Sequence, residues 1–564
     1  MASTSTQATE TTSTAAGERN LNSARRLILP SALRVRTSSA SGAACVALAI
    51  LALCVFFHTY RLSLSPGWDP QEGYNLDIAW NLAHGRLRMF ALTSAFAQHP
   101  PLFYLQLVLS IRIFGYSIIA VRALAAVYAV LTCATILTIG RRIIGWGPAL
   151  WAGFVFTVAP IALANTRWGY TYAQLEFAGM LCLGAAWRYT QTHDRRWLIA
   201  AALLAGIAAF SDYEGIAWVC FVALLALRRG WRESALAAGA GLGVLAAGLF
   251  VCLLSAPSVF FTDFGDTFGR AAGGNLLVRI IELLVNYYRF LSLDVWVLLG
   301  VVGLFLIADS KARGFLLAAF AVLAVVILTV RDIGTTFHTA VPLLPLLALG
   351  AGVALDRALR TLYGWIIRWL APLLRPNLTD VTALQPPYTA APRLAKLAAT
   401  AAVFLAIVSP TGLALASDVA GLHGTLNTHQ DALLATPADA SATIAYVLAH
   451  ARSGDLVLAS PTIAWAFDSP ANAPDLRGAD LLQTLAQSGQ SASFYPASLP
   501  ATRWSYNVAL TSARYVVVDN LLRQLAAPGQ IDALAPALRQ VQHWPSVFSS
   551  GQYTVYERPD PPSW

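Results

Sequence analysis

The chain has 564 residues, of which 57% are hydrophobic and only 12% are charged. A soluble domain carries about 25% charged residues, so this composition excludes an ordinary soluble protein and predicts a polytopic membrane protein. The net charge of +9 does not indicate a nucleic-acid-binding protein. The basic residues stand at the ends of apolar segments, as they do in the cytoplasmic loops of membrane proteins, and they form no patch.

Residues 1–36 are predicted to be a disordered cytoplasmic N-terminus, rich in Ser, Thr and Ala at its start and in Arg towards its end. The apolar run 43–57 comes next. A signal peptide is the alternative for this run, but its charged region would be unusually long, and the following HTYRLSL lacks a small-x-small cleavage site. We therefore predict an uncleaved first transmembrane helix at about 43–59.

A polar stretch at 68–104 follows this helix, and most of the chain after it is apolar. Because the basic N-terminus is expected inside, this first loop is expected on the outer membrane face. It combines acids, histidines, arginines and a Pro-Pro pair, and we predict that it carries the reaction. Its acids are Asp69, Glu72 and Asp77, and its basic residues include His84, Arg86, Arg88 and His99.

The segment 100–115 is apolar but short. Counting it as a span would move Arg141-Arg142 and Arg228-Arg229 to the outer side, so we predict a helix that lies in the outer interface. The remaining apolar runs bring the prediction to about 11 transmembrane helices, each near the length that a bilayer requires. The runs after the first are at about 118–140, 147–164, 173–187, 197–211, 215–227, 235–255, 294–307, 314–330, 337–355 and 397–416.

The pattern changes from residue 417 onward. Short strands are predicted at 455–460, 514–519 and 552–557, the last as an edge strand, with Ala- and Leu-rich helices between them. The predicted fold class is an all-α membrane domain, 37–416, followed by a small extracytoplasmic α/β domain, 417–564. That domain shows no Gly-rich phosphate loop and no nucleophile elbow, so we expect a cap or an acceptor-docking role for it. It also lacks cysteine, so neither a disulfide framework nor a zinc site is predicted there.

Several arginines are predicted at or near the outer face, where the positive-inside bias disfavours them. Arg binds phosphate through bidentate, charge-assisted hydrogen bonds, so together they indicate a site for an anionic ligand. For any single arginine, contact with lipid phosphates is the alternative. His99 and His338 are interpreted in the same way, as cations near a phosphate or as interfacial histidines. The arginines are Arg86, Arg88, Arg112, Arg122, Arg167, Arg270, Arg279, Arg289 and Arg331.

Asp69 and Glu72 allow two interpretations. Asp is a good N-cap, and Glu three residues later completes a capping box for a helix that starts near Gln71. Alternatively, one of the two is a general base that accepts a proton from an acceptor hydroxyl, and a capping acid can also be a catalytic one. Asp212 and Glu214 lie in a very short outer turn, where they are either solvated or line the cavity.

These motifs resemble those of the C-type integral-membrane glycosyltransferases. The matching runs are Asp69-Pro-Gln-Glu72-Gly-Tyr74-Asn, His99-Pro-Pro-Leu-Phe-Tyr104, Phe114-Gly115 and Val121-Arg122-Ala-Leu. The resemblance covers about residues 43–355 and is to the bacterial branch that includes the lipid A aminoarabinose transferase and the protein O-mannosyltransferases. It implies an enzyme of the bacterial plasma (inner) membrane that transfers a sugar from a polyprenyl-phosphate carrier to a glycan, lipid or protein acceptor at the outer face.

The resemblance also implies roles for single residues. In this family the first outer loop holds the catalytic acid, usually in an Asp-Glu pair; here the pair reads Gln71-Glu72 with Asp69 earlier, so either Asp69 or Glu72 carries the role. His99 stands where relatives often have a Lys that meets the lipid phosphate. The second outer loop, where relatives often have an acid, reads RWGYTYAQ. Residues expected to bind substrate are Tyr74, Arg86, Arg88, His99, Arg122, Arg167, Tyr172, Arg270, Arg331 and His338.

Three further expectations remain open at this point. No cofactor is expected, and a divalent metal is not required if the arginines neutralise the leaving phosphate. A transporter or flippase of lipid-linked sugars is the main alternative function, but it requires charged residues at mid-membrane and inverted repeats, and we find neither in the sequence. An inactive scaffold of the same family is the second alternative, because Gln71 replaces the expected acid.

Overall fold

The computed structural model describes residues 40–84, 100–255, 295–330, 341–374, 434–468, 476–486, 510–527 and 533–559, together with positions 260, 261, 277 and 281. The chain divides into residues 1–49 and 50–564, and the site lies within the second unit. Residues 1–36 and the predicted span 397–416 lie outside the described residues.

Helices make up nearly all of the described chain before residue 375. In an apolar environment a backbone can satisfy its N–H and C=O groups only within a helix or a closed sheet, and these apolar sequences form helices. The helices are α1 (Ala40–Thr59), α2 (Pro70–Ala83), α3 (Leu102–Phe114), α4 (Ile118–Ile144), α5 (Trp146–Val158), α6 (Pro160–Arg167), α7 (Tyr172–Thr192), α8 (Arg195–Ser211), α9 (Ile216–Leu227), α10 (Trp231–Ser255), α11 (Val295–Phe305), α12 (Ser310–Val330) and α13 (Leu344–Leu374).

The described residues contain fewer helices that are long and apolar enough to span a membrane than the sequence predicts for the whole chain. Among the described residues, four helical segments are long and apolar enough to cross a bilayer alone, and the bent pair α5 and α6 brings the number to five at most. The prediction of about 11 spans is therefore not confirmed, although each predicted span other than 397–416 falls at least partly on helical residues. The four are Ser41–Thr59, Ile118–Ile144, Trp231–Leu254 and Val341–Leu362.

The break between α5 and α6 has a sequence cause. Ala159 takes an extended conformation (φ −70°, ψ 121°) and precedes Pro160, which begins α6. A proline disfavours helical geometry in the residue before it and lacks the N–H that would continue the hydrogen-bond ladder. The two helices consequently bend by 60°, which directs the end of α6, at Arg167, towards the segment that follows α1.

The predicted short helix at 100–115 is present as α3. It begins after Pro101, ends at Gly115 with φ +75°, and at 13 residues is too short to cross a bilayer. One face, with Phe103, Tyr104 and Leu107, is buried. The opposite face exposes large apolar side chains such as Leu109, which is the surface that a helix in a membrane interface presents to lipid.

A five-stranded sheet lies near the C-terminus, in the order β2-β1-β3-β5-β4. β1 pairs in parallel with both β2 and β3, and β5 pairs antiparallel with β3 and β4. The strands are β1 (Leu456–Ala459), β2 (Arg477–Asp480), β3 (Tyr515–Val518), β4 (Ser546–Ser550) and β5 (Tyr553–Glu557). The helices beside them are α14 (Pro437–His450), α15 (Pro461–Ala464), α16 (Leu481–Ala486), α17 (Asn520–Leu525) and α18 (Leu534–Gln542). We call residues 434–559 the α/β region.

The three predicted strands are present, as β1, β3 and β5, but β5 is not at the edge of the sheet. β4, with the sequence SVFSS, pairs on its outer side, and β2, with the sequence RGAD, was not predicted. Neither sequence has the apolar run or the alternation that predicts a strand. Each becomes a strand because it pairs with a neighbouring strand of the sheet.

The parallel strands end at one edge of the sheet, which we call the carboxyl edge. Ser460 follows β1, Asp480 ends β2 and Asp519 follows β3, and all three are buried. The Ser460 hydroxyl donates a hydrogen bond to Asp519 Oδ2, which joins the ends of β1 and β3. β2, the next strand in sequence, pairs on one side of β1 and β3 pairs on the other, so the strand order reverses between β1 and β3, which is where such sheets usually bind ligands.

Candidate active site

The first loop begins α2 with the predicted capping box. The Gln71 N–H donates to Asp69 Oδ1 at 2.7 Å, and the Asp69 N–H donates to Glu72 Oε2 at 3.2 Å. Pro70 is the first helical residue, where its missing N–H costs nothing. The two acids therefore satisfy backbone donors at the start of α2 and are fixed relative to each other.

Glu72 forms a buried ion pair with Arg122 of α4. Arg122 Nε donates to Glu72 Oε1 at 2.7 Å and Nη2 donates to Oε2 at 2.6 Å, and both side chains have no exposed surface. The Gly169 N–H donates to Oε1 at 2.9 Å, and Oε2 accepts the Asp69 N–H. Each carboxylate oxygen has two acceptor positions, so all four positions of Glu72 are filled by protein donors.

The Arg122 guanidinium has no donor left for a substrate. Beyond its two bonds to Glu72, Nη1 donates to the carbonyl oxygens of Leu62 and Pro66, both at 2.9 Å, and Nη2 donates to that of Gly67 at 2.8 Å. These bonds use all five N–H groups of the guanidinium. The geometry favours a structural role for Arg122, holding the chain before α2, over the phosphate contact predicted from sequence.

Arg167 is bound in a similar way at the end of α6. Its Nε and Nη2 donate to the carbonyl oxygen of Ser65 at 3.0 and 2.7 Å, Nη2 also donates to that of Tyr60 at 2.9 Å, and Nη1 donates to that of Phe57. The carbonyls at a helix end carry partial negative charge and lack partners, so a cation is stabilised there. Arg167 thus fastens the end of α1, and this geometry too favours a structural role over phosphate binding.

The short loop between α6 and α7, residues 168–171, connects these contacts. The Gly169 N–H binds Glu72, and the Gly169 carbonyl accepts from Asn75 Nδ2 at 2.6 Å. A Cβ built on Gly169 would lie 2.2 Å from Val121 Cγ2, so only glycine allows the loop to approach α4 this closely. The loop is therefore fixed against both α2 and α4.

Tyr170 of this loop faces the Asp69 carboxylate. Burial raises the pKa of the Tyr170 phenol well above its usual range, and the neighbouring Asp69 carboxylate raises it further. The phenol therefore stays protonated beside the Asp69 carboxylate. Tyr172, predicted to bind substrate, is buried with its ring 5.9 Å from that of Tyr170. Tyr170 was not among the predicted site residues; its signal is the aromatic loop WGYTY.

A second acidic group lies beside the same loop. The Thr171 hydroxyl donates to Asp212 Oδ2 at 2.8 Å, and the Glu214 N–H donates to Asp212 Oδ1 at 3.1 Å. Asp212 and Glu214 are both buried. The interpretation of these two acids as solvated turn residues is therefore wrong, because the turn that follows α8 packs into the protein interior.

Glu176 of α7 is a buried acid that the sequence analysis did not single out. It is fully buried, and neither carboxylate oxygen accepts a hydrogen bond from the described part of the chain. No acid was expected at mid-membrane, and Glu176 lies at the fourth position of the predicted span 173–187. The sequence places Glu176 near the start of that span, where an acid is easily taken for a boundary residue.

Replacing Glu176 by Leu is expected to raise the thermal unfolding midpoint of the purified protein. An unpartnered buried polar group costs about 1–3 kcal/mol, and an apolar side chain of similar volume removes that cost. The measurement is tryptophan fluorescence of the detergent-solubilised protein during heating, with Glu176→Gln as the control that keeps a polar group. A lower midpoint for Glu176→Leu would show that the carboxyl has a stabilising partner.

Tyr74 does not face the acid pair through its hydroxyl. Its O–H donates to Asp480 Oδ2 in the α/β region at 2.7 Å. Of the other residues predicted to bind substrate, six lie outside the described residues: Arg86, Arg88, His99, Arg270, Arg331 and His338. In the part of the chain that the structure describes, no three His, Cys, Asp or Glu side chains form a group that could hold a metal ion.

Comparison with known proteins gives the class of this chain. Residues 98–255 match the family model of the dolichyl-phosphate-mannose-protein mannosyltransferases. The fold is similar to the crystal structure of ArnT from Cupriavidus metallidurans bound to undecaprenyl phosphate, with a TM-score of 0.55 and 15% identity over 92% of this chain and 98% of that one. It is also similar to the archaeal oligosaccharyltransferase AglB from Archaeoglobus fulgidus in complex with an inhibitory peptide and a dolichol-phosphate, with a TM-score of 0.50 and 14% identity over 88% and 72%.

These matches confirm the resemblance drawn from the motifs: the chain has the fold of the C-type integral-membrane glycosyltransferases. Of the two structures, that of ArnT has the higher TM-score and is covered over nearly its whole length. No curated protein sequence matches it.

Proposed function

We propose that this chain is a membrane glycosyltransferase in which Asp69 is the general base. It moves a sugar from a polyprenyl-phosphate carrier to an acceptor hydroxyl at the outer face of the bacterial plasma membrane. The observation that carries the assignment of the base is the saturation of Glu72, whose four acceptor positions are filled by Arg122, Gly169 and Asp69. Of the two candidate acids, Glu72 has no position left to accept a substrate proton, so the role falls to Asp69.

The proposed reaction is a single displacement. The acceptor oxygen forms a bond to the anomeric carbon of the sugar while the bond from that carbon to the carrier phosphate oxygen breaks. The acceptor proton passes to Asp69, and the lipid phosphate leaves with the bonding electron pair. Asp69 is held for this by the Gln71 N–H and stands beside the Tyr170 phenol.

The leaving phosphate needs cations that are placed before the reaction. Arg122 and Arg167 use their donors on protein acceptors, so we assign this role to the other predicted cations. These are Arg86, Arg88, His99, Arg270, Arg331 and His338. The lipid phosphate bound in the ArnT and AglB structures supports a carrier of this chemistry.

Transfer in solubilised membranes tests the proposal. Membranes from cells that lack this gene supply both the unused lipid-linked donor and the unmodified acceptor, and purified wild-type protein is added in detergent. We expect mass spectrometry to show an acceptor that gains one hexose or pentose unit, and no gain when Asp69→Asn protein is added. A wild-type protein that modifies nothing would contradict the proposal.

A transporter of lipid-linked sugars is the second candidate, and Glu176 is the observation in its favour. An ionisable residue buried within a membrane segment is a common feature of transport pathways. The same assay separates the two functions, because solubilisation in detergent leaves no membrane that divides two compartments. A transporter then has no gradient or compartment to act on and forms no glycosylated product.

A further inference from the structure

The segment that carries Asp69 is held on both sides by the α/β region. Before Asp69, the Trp68 N–H donates to the Ala435 carbonyl at 2.9 Å, and the Ala435 N–H donates to the Trp68 carbonyl at 2.9 Å. A Cβ built on Gly67 would lie 2.7 Å from the Ala435 oxygen, so the two backbones are in direct contact. The Trp68 ring also lies 5.9 Å from that of Trp465.

After Asp69, the first turns of α2 lie on the carboxyl edge of the sheet. A Cβ built on Gly73 would lie 1.8 Å from the Pro461 carbonyl oxygen, so α2 and the start of α15 touch through their backbones. The Tyr74 hydroxyl, one residue later, donates to Asp480 Oδ2 at 2.7 Å. Asp480 is itself fixed, because it is buried and its Oδ1 accepts the Leu482 N–H at 2.9 Å.

α2 therefore lies against the carboxyl ends of two parallel strands. Pro461, which follows β1, contacts Gly73, and Asp480, which ends β2, accepts the hydrogen bond of Tyr74. These contacts are on the β2 side of β1, next to the reversal of strand order between β1 and β3 where sheets of this kind usually bind a ligand.

We propose that the α/β region is a clamp that positions Asp69 for proton transfer, and that Tyr74 and Asp480 are its positioning residues. This inference rests on the proposed function of Asp69 as the base. The four contact points, at Gly67, Trp68, Gly73 and Tyr74, surround Asp69 within eight residues of sequence. Rigid positioning of Asp69 matters, because catalysis depends on the placement of the reacting groups to within about 1 Å.

The test compares Tyr74→Phe, which removes the donor hydroxyl, and Asp480→Asn, which replaces the charged acceptor by an amide; each disrupts the hydrogen bond between Tyr74 and Asp480 and keeps the side-chain shape. We expect each variant to lower the transfer rate in the solubilised-membrane assay about tenfold. Binding of undecaprenyl phosphate, measured by native mass spectrometry, is expected to stay unchanged. The double variant is expected to be no slower than Tyr74→Phe, because both substitutions act on the same hydrogen bond.

Hydrogen exchange gives a readout that does not depend on activity. The amides at the start of α2 are expected to exchange faster in Tyr74→Phe and Asp480→Asn, while those of α4 and α7 keep their protection. Tyr556→Phe is the matched control, because Tyr556 lies on β5, which pairs with β3 and β4 away from β1 and β2. This control is expected to behave as wild type in both measurements.

The outcomes separate the clamp from the proposed function. If wild-type protein transfers sugar and both variants transfer it at the wild-type rate, the positioning role is overturned and the proposed function stands. Faster exchange at α2 with an unchanged rate would show that the contact only stabilises the fold, which also overturns it. If the wild-type protein itself transfers nothing, the proposed function fails, and the positioning role falls with it.

Discussion

Glu72→Gln is expected to leave little folded protein in the membrane. The substitution removes the negative charge that faces Arg122 and places an amide against a guanidinium, although both side chains are completely buried. Breaking a buried ion pair by removing one partner costs about 3–5 kcal/mol, because the other charge is left without compensation. That loss is a large share of the about 5–15 kcal/mol by which a protein is stable.

Fluorescence-detected size-exclusion chromatography of detergent extracts measures this effect as the height of the monodisperse peak. Glu233→Gln is the matched control, because Glu233 pairs with Arg195 at 3.7 Å and both side chains are partly exposed. Exposed pairs contribute about 0–1 kcal/mol, so this variant should keep the wild-type peak. A Glu72→Gln protein that is as monodisperse as wild type but transfers no sugar would make Glu72 the catalytic acid.

Asp69→Asn is expected to fold and to lose transfer. Asn is as good an N-cap as Asp, and its side-chain oxygen can still accept the Gln71 N–H, so the start of α2 is retained. The amide cannot accept the acceptor proton, and loss of a general base costs about 10²–10⁴-fold in rate. The measurement is the transfer rate per folded molecule in the solubilised-membrane assay.

Asp69→Ala separates the two roles of this residue. It removes both the base and the cap, and loss of an N-cap costs about 0.5–2 kcal/mol. We expect a transfer rate as low as that of Asp69→Asn, together with a lower unfolding midpoint. A midpoint equal to that of Asp69→Asn would show that the cap contributes nothing to stability.

Local patterns in the sequence predicted the local structure well. The capping box of Asp69 and Glu72, the helix after Pro101 and the strands β1 and β3 are present as expected. Each of these features is fixed by residues a few positions apart, so spacing and residue type are sufficient to find it. The strands β2 and β4 were not predicted, because pairing with neighbouring strands in the sheet creates both of them.

Local patterns did not predict hydrogen bonds between residues that are distant in the sequence. Arg122 is 50 residues from Glu72 and Arg167 is 102 residues from Ser65, and no spacing rule connects either pair. In the sequence these arginines stand near acids and near turns. That pattern is equally consistent with phosphate binding and with hydrogen bonds that fix a loop. These roles are distinguished only by counting which N–H groups of each arginine already bind protein acceptors, and that count requires the three-dimensional structure.

Two glycines show how a sequence can indicate a close contact between segments that are distant along the chain. Gly73 follows Glu72 inside a helix, where glycine is unfavourable compared with alanine, and it permits the backbone of α2 to touch Pro461. Gly169 permits the loop after α6 to touch Val121. A glycine in a position that costs helix stability indicates a close approach, although the sequence does not name the partner.

Asp69→Asn and Glu72→Gln, measured side by side for folded yield and for transfer per folded molecule, test the central claim most directly. We expect Asp69→Asn to give the wild-type yield with less than about 1% of the wild-type rate, and Glu72→Gln to fail at the level of folding. The reverse pattern, with Asp69→Asn active and Glu72→Gln folded but inactive, would contradict the assignment of Asp69 as the base and of Glu72 as its support.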